Sequence, residues 1–229
     1  MSWLVRMEIE SERAIAAGML DSYAWHKRLW DCFVGEPEQG RDFLTRIDPM
    51  EGMFRVWLLA RRKPKRPAWC PADTFSMKEI SPSFLSHRYY AFDLRVNPVK
   101  AIVQRDAEGQ PLLGTGGKRQ RGKRVPLVQP DELREWLVRK GNVRCRDKET
   151  GEEIPGGFRI AEGHPLEITR MVENHFRKKG HSGYHGGVQF RGVLEVTDPK
   201  RFIETYYAGI GGAKGFGFGL LLLAPVNLQ

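Results

Sequence analysis

Cysteine is scarce: Cys32, Cys70 and Cys145 are the only three in 229 residues, far apart and never in a C-x-x-C pair. An odd, scattered set argues against a disulfide framework or a thiolate zinc site, and fits reduced thiols in a cytosol, each serving as a small core residue. Long apolar runs are missing too. None reaches membrane-spanning length and the first residues hold no apolar signal core, so neither a membrane span nor an export signal is expected. Nucleotide-site motifs are absent as well. No G-x-x-x-x-G-K-[ST] occurs, and a G-x-G-x-x-G frame opened at Gly209 fails because Lys214 stands where its third glycine belongs. Acidic residues are the minority, 28 against 37 Lys and Arg, which gives a formal charge of +9. No Asp/Glu cluster suited to two magnesium ions stands out. The excess of positive charge favours an anionic partner, nucleic acid first and an acidic membrane second.

What the chain does hold is organised around its last strand. Gly209 to Pro225 reads GIGGAKGFGFGLLLLAP, a glycine-dense loop leading into an apolar run that is expected to be a buried central strand. Gly209, Gly211, Gly212, Gly215, Gly217 and Gly219 would let backbone N–H groups approach a phosphate, and Lys214 adds a charge; a plain flexible turn is the competing reading. Upstream, Trp3 to Glu10 alternates apolar and polar residues as a half-buried strand does. A helix follows, starting near Ser22 under a Ser or Asp cap, with Trp25, Leu29, Cys32 and Phe33 as its buried stripe and Gly35 to Gly40 ending it. Phe43 to Asp48 and Phe54 to Arg61 read as paired strands about a turn at Pro49 to Gly52, Met77 to Ser86 as a short helical piece, and His87 to Val96 as a strand. Strand, helix, two strands, helix, strand is the ferredoxin-like βαββαβ order.

Asn97 to Pro126 is a basic linker or loop, low in apolar residues. A helix is expected from Pro130 to about Lys140, a short strand at Phe158 to Ala161, hairpin arms at Leu166 to Phe176 and Gly187 to Val196 with a basic tip between them, and a helix from Asp198-Pro199 to about Tyr207. The order then repeats. The fold expected is α+β, two tandem ferredoxin-like domains over 1–96 and 97–229.

Positive charge concentrates in loops, at Lys63, Lys65 and Arg66, at Lys118 to Arg124, and at Arg177 to Lys179. Such loops track a nucleic-acid backbone and its shape. No aromatic RNP1 motif marks base stacking, and no helix-turn-helix signature favours duplex DNA. The catalytic candidate is His26, near a helix start beside Lys27 and Arg28 with Tyr23 one turn back. A side chain titrating near neutrality can move protons at a phosphodiester, and neighbouring cations would stabilise the phosphorane. With no metal cluster in view, RNA cleavage here would be metal-free. His164, His175, His181 and His185 crowd the hairpin and read as solvent-exposed or phosphate contacts, His87 as a strand residue with no partner.

Tyr23 and His26, Asn97-Pro98-Val99-Lys100, Gly122-Lys123-Arg124-Val125, Asp198-Pro199 and the closing glycine loop recur in an order that resembles the CasE-type CRISPR RNA endoribonucleases of type I-E Cascade systems, over essentially the whole chain. The resemblance implies two ferredoxin-like domains. It also implies cleavage of precursor RNA at the base of each repeat hairpin without metal or other cofactor, by 2′-hydroxyl attack leaving a 5′-hydroxyl and a 2′,3′-cyclic phosphate. The product hairpin stays bound in the cytoplasm and joins other Cascade subunits; outside that complex a monomer is expected. It assigns catalysis to His26 and Tyr23, and RNA contacts to Lys100, Lys123, Arg124 and the loop with Lys214. Arg170, Arg177, Lys178 and Lys179 would grip the stem. Some relatives carry a lysine just beyond the histidine where this chain has Asp31, so Lys27 or Arg28 is left to supply that charge. A non-catalytic hairpin-binding scaffold is the alternative.

Overall fold

The computed structural model describes residues 1–33, 41–113, 120, 122–147, 149–171, 174–178 and 181–228, with backbone alone considered for 174–178 and 181–185. The first sheet holds β1 (Trp3–Glu10), β2 (Phe43–Met50), β3 (Met53–Ala60) and β4 (Phe75–Glu79) in the antiparallel order β2-β3-β1-β4. The alternation of β1 buries Val5, Met7 and Ile9 on one face. Against that face pack α1 (Ser11–Ala16) and α2 (Ser22–Leu29), through Ala14, Trp25 and Leu29. Each large buried side chain of this kind contributes about 1.5–3 kcal/mol. Asp21 caps α2 by accepting from the Ala24 amide at 2.7 Å, and a 3-10 turn over Trp30–Phe33 carries the stripe on to Cys32 and Phe33. The expected helix end at Gly35 to Gly40 lies outside the described residues.

The second sheet begins where the first unit was expected to end. Its first strand is β5 (Tyr89–Val96); the chain then runs through a separate ribbon, β6 (Val99–Ile102) with β7 (Lys123–Pro126), then α3 (Pro130–Asn142) and a small separate pair, β8 (Cys145–Arg146) and β9 (Glu153–Ile154). There follow β10 (Phe158–Ile160), β11 (Glu167–Arg170), a separate ribbon of β12 (Asn174–Lys178) and β13 (His181–His185), β14 (Val188–Val196), α4 (Pro199–Ala208) and β15 (Leu221–Pro225). The sheet order is β10-β14-β5-β15, with β11 also on β14. Both sheets therefore show the ferredoxin-like order, the first without a helix in its second crossover, residues 61–74.

Three expectations are corrected. Met77 to Ser86 is helical only over a 3-10 turn, Pro82–Leu85, under a Ser81 cap; its first residues are the end of edge strand β4. His87 to Val96 does not close the first unit; β5 lies between β14 and β15 and buries Tyr90, Phe92, Leu94 and Val96. A strand so largely buried belongs inside a sheet, whereas the half-exposed β4 suits an edge. The division at 96/97 thus falls inside the second sheet's territory. The closing apolar run is an edge strand, not a central one: among the described residues β15 pairs only with β5, and it is buried chiefly at Leu221.

The two sheets are tied together by charge. Arg46 of β2, only 4% exposed, donates from Nη1 and Nη2 to the Asp93 carboxylate of β5 at 2.7 and 3.3 Å, and from Nε to Asp48 at 2.8 Å. Arg95 of β5 pairs with the same Asp48 at 2.6 Å and donates to the Ile47 carbonyl. Gln189 and Arg191 complete the ring around Asp93.

Candidate functional site

The glycine loop is set by the end of α4. Gly209 leaves the helix at φ +73°, where a side chain would collide with Leu44 and the Gly219 carbonyl, and the Ile210 amide donates back to that carbonyl at 2.9 Å. Lys214 then reaches back to the Ala208 carbonyl, 2.6 Å from its Nζ, so its ammonium anchors the loop to the helix C-terminus. Ala213 is held in the left-handed region at φ 55° and opens a 3-10 turn, Lys214–Phe216. Non-glycine residues held there store strain, here at the loop's tip.

That turn packs against α2. Tyr23, His26, Lys27 and Trp30 of the helix segment, with Gly215 and Phe216 of the loop, line a cleft of about 410 Å³. The structure therefore brings together the two catalytic candidates and the loop. His26 sits edge-on to Trp30 at 6.4 Å between ring centroids, and Lys27 lays its Nζ over the Tyr23 ring at 5.0 Å. Arg28 turns away: its Nε donates to the Ala17 carbonyl at 3.0 Å, and Asp31 lies 3.8 Å from its guanidinium. Of the two neighbours expected to provide charge, only Lys27 faces the cleft.

On the other side of the loop a second cleft of about 480 Å³ is lined by Asn97, Arg124, Lys140, Arg144, Lys214 and the backbone of Gly209 to Gly212. Burial pushes the Lys214 and Lys140 ammonium pKa values down; Arg41, Arg144 and Lys140 lower Lys214 further, and Arg139 lowers Lys140. Cations crowded this way are relieved by a bound anion, so a phosphate chain running past the loop would gain from every one of them. Lys100 pairs with Glu132 at 2.6 Å on the β6–β7 ribbon, where Lys123 and Arg124 are exposed. Arg170 is exposed at the end of β11. Arg177 and Lys178 lie on β12, whose backbone runs beside α2, while Lys179 lies outside the described residues. Arg41, Lys140 and Arg144 were not legible as site residues, since nothing in their local sequence sets them apart; Trp30 and Phe216 were visible only as helix and loop aromatics.

The sequence profile of the family described as CRISPR associated protein matches residues 2–225. The chain belongs to this family. It is 30% identical over 206 residues to the CRISPR system Cascade subunit CasE of Escherichia coli, covering 90% of this chain and 93% of that one. It is 29% identical over 241 residues to the CRISPR-associated endoribonuclease Cse3 of Thermus thermophilus, covering 97% and 100%. The structure of Thermus thermophilus Cse3 bound to an RNA representing a pre-cleavage complex superposes with a TM-score of 0.66 at 25% identity, over 98% of this chain and 99% of that one. The family's two-domain ferredoxin-like fold is the one described above.

Proposed function

We propose that this chain is the endoribonuclease that processes CRISPR repeat RNA: it binds the repeat hairpin, cuts at the 3′ base of the stem and keeps the product as a Cascade subunit. Family membership and the names of its relatives support the substrate and the assembly. The observation that carries the chemistry is the cleft in which Tyr23 and His26 of α2 meet the 3-10 turn of the glycine loop.

The reaction needs little machinery. The 2′-hydroxyl gives up its proton as its oxygen bonds the adjacent phosphorus; the P–O5′ bond breaks, and the departing 5′-oxygen takes a proton. The products are a 2′,3′-cyclic phosphate and a 5′-hydroxyl, and no external reactant is consumed. One group must accept a proton, one must donate, and positive charge must meet the phosphorane oxygens. His26 and Tyr23 form the proton-moving pair. Loop amides and nearby cations meet the developing charge, which leaves no step that calls for a metal ion. Lys100, Lys123, Arg124, Arg170, and Arg177 and Lys178 of the β12–β13 ribbon, with Lys179 next in sequence, hold the stem through its phosphates, and Lys214 fixes the loop. The protein works as a cytoplasmic monomer until it joins the complex.

The test is cleavage of the cognate repeat hairpin in excess EDTA, wild type beside His26→Ala. Single-site cutting by wild type alone is expected, with hairpin affinity of the variant within a few-fold because many phosphate contacts carry binding. Tight binding without cutting by either protein would leave a scaffold; cutting by both would place the chemistry elsewhere.

A further inference from the structure

We infer that Arg41 is a catalytic residue: from the neighbouring cleft, on the other side of Gly215 from His26, its guanidinium binds the non-bridging oxygens of the scissile phosphate and stabilises the phosphorane. The inference rests on the endonuclease reading above and adds a guanidinium to the one α2 cation, Lys27, that lines the cleft.

Gly215 measures the gap. A methyl group at that position would lie 3.1 Å from Arg41 Nη1 and 3.9 Å from His26 Cε1, so those two atoms are no more than about 7 Å apart. A phosphate accepting charge-assisted hydrogen bonds of about 2.7–2.9 Å on one side, with its reacting oxygens toward the other, fills a gap of that size. The absence of a Cβ at Gly215 keeps the space open.

The other cations near the cleft are committed. Lys27 lies over the Tyr23 ring, Arg28 is held by the Ala17 carbonyl and Asp31, and Lys214 donates to the Ala208 carbonyl. Asp42, the carboxylate next to Arg41 in sequence, is taken from both oxygens by Arg62 at 2.8 Å each, and Arg62 itself stacks on Phe33. Arg41 has no such anchor among the described residues. Arg41 is exposed, yet partial desolvation lowers its pKa with no carboxylate to offset that, and Lys214 repels it. It nonetheless stays a cation, because a guanidinium does not deprotonate in proteins. Its planar fork suits two phosphate oxygens at once, which a lysine cannot match.

The experiment is single-turnover cleavage of the repeat hairpin by Arg41→Gln, Arg41→Lys and Gly215→Ala, with binding measured in parallel on a hairpin carrying a 2′-deoxy nucleotide at the cut site. Arg41→Gln is expected to slow cleavage about 10²–10³-fold, the cost of removing one preorganised donor to a developing oxyanion. Hairpin affinity should change by no more than a few-fold. Arg41→Lys should recover part of the rate, and Gly215→Ala should slow cleavage with all charges kept. Thermal midpoints of the Arg41 variants should match wild type, since no described side chain leans on Arg41. Cleavage by Arg41→Gln within threefold of wild type, while His26→Ala is inactive, overturns the assignment and leaves the endonuclease standing. A rate loss matched by an equal affinity loss also overturns it. Wild type that leaves the hairpin intact overturns both readings.

Discussion

Asp93→Ala should weaken the union of the two sheets by an amount that can be worked out from its neighbours. Without Asp93, the Arg46 guanidinium remains 4% exposed and keeps only Asp48, which Arg95 also claims at 2.6 Å. Two desolvated cations then share one carboxylate, Gln189 loses its acceptor, and Arg191 keeps only Glu167 at 3.8 Å. Breaking a buried pair by removing one partner costs about 3–5 kcal/mol. The Asp93 side chain is 27% exposed, so water can replace part of what is lost, and about 2–3 kcal/mol is the fair figure here. For a chain of this size that corresponds to a fall in melting temperature of about 5–10 °C. The assay is thermal and urea unfolding of Asp93→Ala beside Lys100→Ala, whose exposed pair with Glu132 should contribute under about 1 kcal/mol. The pH dependence gives a second check. Burial acts to raise the Asp93 pKa, but the Arg46 hydrogen bond and charge, with Gln189 and Arg191, hold it below the usual carboxylate value. Its stabilisation is therefore complete above about pH 4 and is lost as pH falls through the depressed native pKa, so wild type and Asp93→Ala should converge in acid. An Asp93→Ala protein melting within 1 °C of wild type at pH 7 would refute the clamp.

Two further outcomes follow from local geometry. Gly209→Ala forces a side chain to φ +73° and to within 2.8 Å of Leu44 Cδ1, so it should cost about 1–3 kcal/mol in urea unfolding and slow cleavage by shifting the loop; Gly109→Ala, also at positive φ but with nothing within 4 Å, should cost less. Burial, with Asp31 and Cys70 adding, pushes the Cys32 thiol pKa to about 12, and burial raises that of Cys70. A thiol reagent at pH 8 should then find one fast group in the native protein, the exposed Cys145, and the other two only after unfolding.

How much could be read ahead depended on whether the signal was local. The β1 alternation, the Asp21–Ser22 helix start and the Asp198-Pro199 start are written in neighbouring residues, and each formed as read. Tyr23 and His26 share a helix face by spacing alone, so their common cleft was within reach of the sequence. Sheet membership was not. Phe75–Glu79 and Tyr89–Val96 both alternate, and only the partners supplied later in the chain, β14 and β15, decide which of them closes the first sheet. The apolar closing strand looked central because its run is continuous, but an edge strand with one covered face can carry the same run. Arg41 was invisible for a related reason: its place opposite His26 exists only once Gly215 has been brought back from the far end of the chain.

That last dependence reaches into how the protein is made. The ribosome delivers Tyr23, His26 and Arg41 early, on the sheet of residues 3–79, and delivers Gly215 and the strand that locks its loop almost at the end. On the proposed mechanism, a chain stopped before residue 209 holds Tyr23, His26 and Arg41 without the loop that completes their cleft, so it should not cut RNA. On that reading cutting waits for the glycine loop, and the order of synthesis itself acts as the safety catch.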